Sequence, residues 1–182
     1  MSDYVAAGSP AGANSDWVIW LVGTSAEAGV AIRRSALGLG RSVFEVDVGT
    51  VRTTDELVAD ISRMFLVPRE VRGLDALLSV LSDLDWLANE NGYLFILDGM
   101  GDLRQTSEDL FNRLVRILPH LCDRWRSRST PFQIILHADR TTASSVEYQV
   151  KTLYEGSRAS RWRSDFTEVP VIDVDARHGD DA

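Results

Sequence analysis

The residues able to do chemistry are few and scattered. Three histidines, His120, His137 and His178, lie too far apart for metal-ligand spacing, and none forms a convincing Ser/His/Asp arrangement. Cys122 is the single cysteine, which excludes an internal disulfide and a four-cysteine zinc site, and its apolar neighbours predict a place in the core. We therefore expect binding rather than catalysis, with no cofactor and no metal.

One pattern is typical of nucleotide hydrolysis. The segment from Gly23 to Gly29 (GTSAEAG) follows an apolar run and opens a helical stretch, and Asp98 ends the apolar run that begins at Leu94. The phosphate-binding lysine and the Ser/Thr after it are absent, because Gly29 is followed by Val-Ala-Ile. A degenerate P-loop-like nucleotide-binding protein therefore remains an alternative interpretation.

A second pattern places carboxylates on a helix. Leucines recur with three-and-four spacing after Gly73 and predict a buried stripe: Leu74, Leu77, Leu78, Leu81 and Leu84. Four polar residues fall on the opposite side and predict an exposed face: Asp75, Ser79, Ser82 and Asp83. We expect this helix to end near Leu84, with Trp86 folding back to the core. Asp75 in the first turn would in any helix interact favourably with the dipole.

The overall charge limits the partners of such a face. The 182 residues carry a formal net charge of −8, which opposes nucleic-acid backbones and anionic membranes and attracts a basic protein. No apolar run approaches the roughly 20 residues needed to span a bilayer, and the first residues lack a signal-peptide pattern. We expect a cytoplasmic protein that is monomeric when free.

The elements that position this helix read as an α/β domain. Four apolar runs alternate with helical stretches and predict a parallel sheet: Trp17–Val22, Val43–Val48, Tyr93–Leu97 and Phe132–Leu136. The first and third runs are almost continuously apolar, as expected of central strands. Thr24 and Thr53 are each followed three residues later by a glutamate, which predicts that helices start there. Apolar residues with helical spacing from Leu110 to Trp125 predict a long helix that Pro119 kinks or divides.

These patterns divide the chain into three parts. Residues 1–15 read as a flexible leader, and residues 16–140 as the α/β domain. Residues 141–182 show scattered charges without a clean period and read as an extension with a loose tail. Val169–Val174 is a candidate edge strand within that extension.

Several of the motifs together resemble the barstar family of ribonuclease inhibitors. They are LDAL at Leu74–Leu77, DLDWL at Asp83–Leu87, the strand YLFILDG, and Trp125 followed by PFQIIL from Pro131. The likeness runs from about Val43 to Ala138 and extends less closely to the βα segment before it, as in longer actinobacterial members. It implies a three-layer fold in which a parallel sheet of three to four strands is flanked by helices.

The resemblance also implies a function. In the family, the LDAL helix and the loop before it plug the active-site cleft of a basic ribonuclease, where carboxylates replace RNA phosphate. Asp75 matches the inhibitory aspartate of LDAL. We therefore expect inhibition of a ribonuclease or ribonuclease-type toxin through the loop Pro68–Gly73 and the helix face. The expected contact residues are Glu70, Arg72, Gly73, Asp75, Ser79, Ser82 and Asp83.

The sequence departs from the family pattern within this site. The loop lacks the family's tyrosine and is one residue shorter, and Ser79 stands where a second aspartate is common. Arg124 aligns near another acidic position, and Arg69 and Arg72 would repel a basic enzyme. A barstar-fold interaction module without a ribonuclease target is therefore a further alternative, because fold alone does not carry function.

Overall fold

In the described part of the chain, the sheet has four strands, all of them parallel. A computed structural model describes residues 19–22, 30, 33–34, 36–128 and 130–155. The strands are β1 (Ile19–Val22), β2 (Ser42–Asp47), β3 (Tyr93–Asp98) and β4 (Phe132–His137). Their order in the sheet is β1-β4-β3-β2, with parallel pairing throughout. The four predicted strands and the α/β class are confirmed.

Helices cover both faces of this sheet. They are α1 (Thr54–Met64), α2 (Leu74–Leu81), α3 (Met100–Thr106), α4 (Glu108–Arg126) and α5 (Arg140–Glu155), and residues 36–38 are also helical. The larger core lies between α1, α2, α4 and one face of the sheet, where Phe95 and Phe132 are fully buried. On the other face, Ala36 packs against Leu94, Ile96 and Ile135. The resulting three layers match the predicted fold.

The strand order corrects one expectation. Every residue of β3 from Tyr93 to Leu97 is buried, as predicted for a central strand. In the described sheet, however, β1 has a single neighbour, β4, and lies at an edge rather than at the centre. Its apolar run therefore does not mark a central position.

Helix ends agree with the sequence where caps are local. Thr53 accepts a hydrogen bond from the Glu56 N–H, and the Glu56 carboxylate accepts one from the Thr53 N–H, which forms the predicted capping box. Pro119, where the sequence predicts a kink or a division, does not divide the helix: α4 continues through it from Glu108 to Arg126. Burial of Leu118 and Leu121 on either side anchors both halves to the core. Packing thus offsets the backbone hydrogen bond that proline lacks.

A packed helix follows residue 140, where the sequence predicts the end of the α/β domain. Residues Arg140–Glu155 form α5, and three of its side chains are buried in the larger core: Ala143, Val146 and Val150. These positions are spaced as on one face of a helix, and that face packs into the core. The predicted leader, the Thr24 cap and the candidate strand Val169–Val174 lie outside the described residues. No helix in the described part of the chain has both the length and the apolar character needed to cross a membrane.

Candidate functional site

Helix α2 separates its residues between core and solvent. Its leucines are almost completely buried: Leu74, Leu77, Leu78 and Leu81. Asp75 and Ser79, one turn apart, are exposed, with Ala76 beside them. The buried side packs against α1 and α4. The predicted leucine stripe is therefore present, and it holds Asp75 and Ser79 towards solvent on a fixed support.

The end of α2 differs from the prediction. The helix ends at Leu81, and Ser82 is its C-cap. Ser82 was expected on the exposed face, yet it is 8% exposed and its hydroxyl donates to the Leu78 carbonyl at 2.6 Å. The chain then turns through Leu84, whose φ of 46° is left-handed and whose side chain is buried. Ser82 therefore caps the helix, and its side chain is not available on the exposed face.

The loop before α2 carries three exposed charged side chains. Arg69, Glu70 and Arg72 are exposed, whereas Val71 packs against the core and fixes the middle of the loop. Arg72 and Glu70 form an ion pair with a 2.8 Å N–O separation. Gly73 begins α2 with φ 80°, a conformation that favours glycine, although a Cβ there would meet no neighbour. The glycine is thus required by the backbone turn and not by crowding.

Two tryptophans fasten this loop-helix unit to its surroundings. The indole N–H of Trp125 donates to the Leu81 carbonyl at 2.9 Å, and that of Trp86 donates to the Phe65 carbonyl at 2.9 Å. Trp125 is 2% exposed and stacks on Phe132. Trp86 is half-buried and packs against the core. The core assignment of Trp125 is confirmed, whereas Trp86 is only partly buried at the edge of the core. The bond from Trp125 holds the last residue of α2, and the bond from Trp86 joins the segment after α2 to the end of α1.

Sequence reasoning missed Arg128, which organises the far end of the site. Its guanidinium donates to the Asp83 carbonyl at 2.7 Å and to the Asp83 carboxylate at 3.1 Å. It also lies 3.7 Å from an Asp85 carboxylate oxygen and 4.8 Å from the centre of the Trp125 ring. Arg128 lies just beyond the end of α4, where its N–H bonds to the Trp125 carbonyl at 2.9 Å, so helical periodicity gave no signal for its position. Two carboxylates near the predicted site are therefore compensated within the chain.

Asp75 differs from these acids. Among the described residues it has no ion-pair partner, and the cap residue Gly73 before it offers no side chain. Its position in the first turn is favourable because the helix N-terminus carries positive potential. Asp75 is thus an exposed carboxylate that an external cation can reach.

Tyr93 supports the segment that follows Trp86. Its hydroxyl donates to the Leu87 carbonyl and accepts from the Asn89 N–H at 3.3 Å. Burial raises the pKa of the Tyr93 phenol above its ordinary value, while the Asn89 N–H and the Arg128 charge act in the opposite direction. The phenol is therefore protonated at neutral pH and serves as a donor.

Of the residues on which the nucleotide-binding alternative depends, Asp98 lies in the described part of the chain. Asp98 at the end of β3 hydrogen-bonds to the His137 ring at the end of β4, and Asp47 at the end of β2 accepts from the Gly49 N–H. The Gly23–Gly29 segment lies outside the described residues. Within the described ranges, no group of three or more His, Cys, Asp or Glu residues is arranged to hold a metal ion.

Comparison with known proteins identifies the family. A family scan matches residues 41–137 to the family described as Barstar (barnase inhibitor). A search of curated proteins finds no match. The matched region is more than half of the chain and includes β2, the loop before α2, α2 itself, and the strands and helices as far as β4. The order of the motifs, the parallel sheet and the leucine-backed helix with its exposed aspartate agree with this match, and the chain belongs to the barstar family.

Proposed function

We propose that this protein inhibits a ribonuclease or a ribonuclease-type toxin by covering its active-site cleft with the loop Pro68–Gly73 and the exposed face of α2. The proposal is supported by membership in a family named for a barnase inhibitor. The observation that carries it is the exposure of Asp75 on a helix whose opposite side is anchored by buried leucines. No part of the mechanism is catalytic, because binding alone excludes the substrate.

The chemistry is electrostatic mimicry. A ribonuclease cleft holds cationic side chains that bind the phosphate of RNA, and a carboxylate can occupy the same place. A fixed helix lowers the entropic cost of ordering that carboxylate on binding. Asp75 is the residue we assign to this role, with Ser79 one turn further along α2 as a neutral hydrogen-bonding neighbour.

The other predicted charges contribute less by this reasoning. Glu70 pairs with Arg72, and Asp83 pairs with Arg128. A partner cation that competes for these acids must displace a guanidinium, so its net gain is small. Inhibition therefore depends on Asp75 more than on Glu70 or Asp83.

The proposal also defines the partner and the setting. The partner is a basic protein, attracted by a chain with net charge −8, and neither nucleic acid nor a membrane is the ligand. The chain acts in the cytoplasm, which fits a single cysteine that can form no internal disulfide. It is a monomer when free.

Titration of purified ribonucleases tests the proposal. The panel comprises barnase and the barnase-type ribonucleases of the host, and the readout is residual cleavage of a fluorogenic RNA. Asp75→Ala should weaken inhibition about 30-fold or more, since removing one member of a buried charge pair costs about 2 kcal/mol or more. Raising the salt concentration should slow association.

Asp55→Ala is the matched control. Asp55 is the second residue of α1, as Asp75 is of α2, and it is exposed. Both substitutions remove a first-turn carboxylate and should lower the free energy of unfolding by about 0.5 kcal/mol. Only Asp75→Ala should weaken inhibition. Equal inhibition by both variants would remove Asp75 from the interface, and failure of the unmodified chain to inhibit any ribonuclease would refute the proposal.

A second candidate is an interaction module with another protein target. It is favoured by the ion pairs that neutralise Glu70 and Asp83, and by the exposed Arg69 in the same loop. This function predicts a stable complex with a protein whose activity on RNA is absent or unchanged. Measuring complex formation and RNA cleavage on the same mixture separates the two candidates.

A further inference from the structure

An exposed leucine occupies a backbone position that favours glycine at the entrance to the site loop. Leu66 follows α1 with φ 51° and is 69% exposed. Its N–H bonds to the Arg63 carbonyl at 3.1 Å, and the Val67 N–H bonds to the Ser62 carbonyl at 2.9 Å. This pair of bonds is the Schellman arrangement that ends many helices, and glycine is the usual residue at its left-handed position. The leucine side chain strains the backbone and buries little surface within the described fold.

The corner that displays Leu66 is rigid. Phe65, immediately before it, is fully buried and stacks on Phe44 with ring centres 4.2 Å apart. The Phe65 carbonyl accepts the Trp86 indole N–H, and Val67 packs against the core on the other side. Leu66 is therefore held outward between two anchored neighbours. A side chain fixed in this way loses little freedom when a partner covers it.

Leu66 is not isolated on the surface. Met64, two residues earlier, is 41% exposed, and the chain enters the loop Pro68–Gly73 directly after Val67. Single exposed apolar residues are ordinary, but here two lie beside the surface assigned to partner binding. The apolar pair therefore extends that surface towards the end of α1.

The charges of the site show why an apolar contact is needed. Glu70 is paired with Arg72, and Asp83 and Asp85 are both close to Arg128. Asp75 is left as the carboxylate without an ion-pair partner among the described residues of the loop and α2. One carboxylate offers a single strong charge contact, so a stable complex requires buried apolar area as well.

We propose that Leu66, with Met64 beside it, is the apolar anchor of the partner-binding surface, and that the partner presents an apolar pocket next to a single cationic site. This inference rests on the proposed function and specifies the chemistry of the partner. A ribonuclease whose cleft is wholly cationic is a poor fit to this surface.

Leu66→Asn tests the anchor. Asparagine tolerates the left-handed conformation and has a similar size, so the midpoint of urea unfolding should stay unchanged or rise. In the same titration of barnase and the host's barnase-type ribonucleases, the concentration for half-inhibition should increase at least tenfold. The two effects have opposite directions, which a merely structural role for Leu66 would not produce.

Tyr148→Gln is the matched control. Tyr148 is 72% exposed on α5, so this variant also removes an exposed apolar side chain. It should inhibit as well as the unmodified chain. If Leu66→Asn inhibits as strongly as the unmodified chain, the anchor is refuted while the inhibitor proposal stands. If the unmodified chain inhibits no ribonuclease in the panel, both are refuted.

Discussion

Trp125 and Trp86 donate equally short hydrogen bonds to backbone carbonyls, but they do so in different surroundings. Trp125 is buried with its acceptor Leu81, whereas Trp86 is half-exposed. Trp125→Phe would leave the Leu81 carbonyl without a donor, and we expect it to lower the free energy of unfolding by about 2 kcal/mol or more. Urea unfolding followed by circular dichroism measures this loss.

Trp86→Phe is the comparison for that experiment. It removes the same N–H group from a side chain that is partly exposed. Phe65 is fully buried while the indole covers it, and the smaller phenylalanine ring should let water reach its carbonyl, so the cost should be about 1 kcal/mol or less. Equal costs for the two variants would mean that the Leu81 carbonyl is also hydrated when its donor is removed. The cost of losing a hydrogen bond would then not depend on burial here.

At the residue scale, the sequence predicted which side chains face the core or the solvent better than it predicted which side chains contact each other. The periodicity of α2 correctly placed Asp75 and Ser79 outward and the leucines inward. It could not show that Arg128 would reach Asp83, since that contact joins residues 45 apart in sequence. Ser82 was assigned to the wrong environment because the helix ends before it.

At the scale of elements, Asp139 provides a pH-dependent cap for α5. Its carboxylate accepts the Thr142 N–H at 2.8 Å and the Thr142 hydroxyl at 3.1 Å, and its carbonyl accepts the Ala143 N–H. The Thr142 N–H, chiefly, holds the pKa of Asp139 below its ordinary value. The ionised cap therefore stabilises the fold above the unfolded pKa of about 3.9 and loses this effect as pH falls through the lower folded pKa.

Two variants measure that cap. Asp139→Ala should lower the free energy of unfolding by about 1 kcal/mol at neutral pH, whereas Asp139→Asn should cost less because asparagine also caps helices. The difference between the unmodified chain and Asp139→Asn should shrink as pH falls below 4, in urea unfolding at a series of pH values. A difference that stays constant over that range would show that ionisation of Asp139 does not contribute.

Element ends were predictable where the cap is local and residue-specific. Thr53 and Glu56 predicted the start of α1, because both residues of a capping box lie within one helical turn. The end of α1 was not predicted, because Leu66 adopts the left-handed conformation in which glycine is expected. The end of α2 was predicted near Leu84, whereas the helix ends at Leu81. Helix α5 was missed although Ala143, Val146 and Val150 have helical spacing, because charged residues interrupt the apolar pattern.

At the scale of the whole molecule, the stable unit is larger than the region that defines the family. The family match covers residues 41–137, yet β1 pairs with β4 along its length. On the other side of the match, α5 packs on α4 and buries Ala143, Val146 and Val150. A sheet edge and part of the core therefore depend on segments outside the matched region.

A fragment limited to residues 41–137 should consequently be much less stable than the full chain. Loss of three buried side chains of α5 alone removes about 3 to 5 kcal/mol of burial, which is comparable to the total stability of many domains. Removal of β1 adds an unpaired edge on β4. Thermal unfolding of the fragment should show a lower midpoint than that of the full chain, or no cooperative transition. If the shorter fragment unfolded at the same temperature, β1 and α5 would be additions to a domain that is stable without them, and the site helix would need neither.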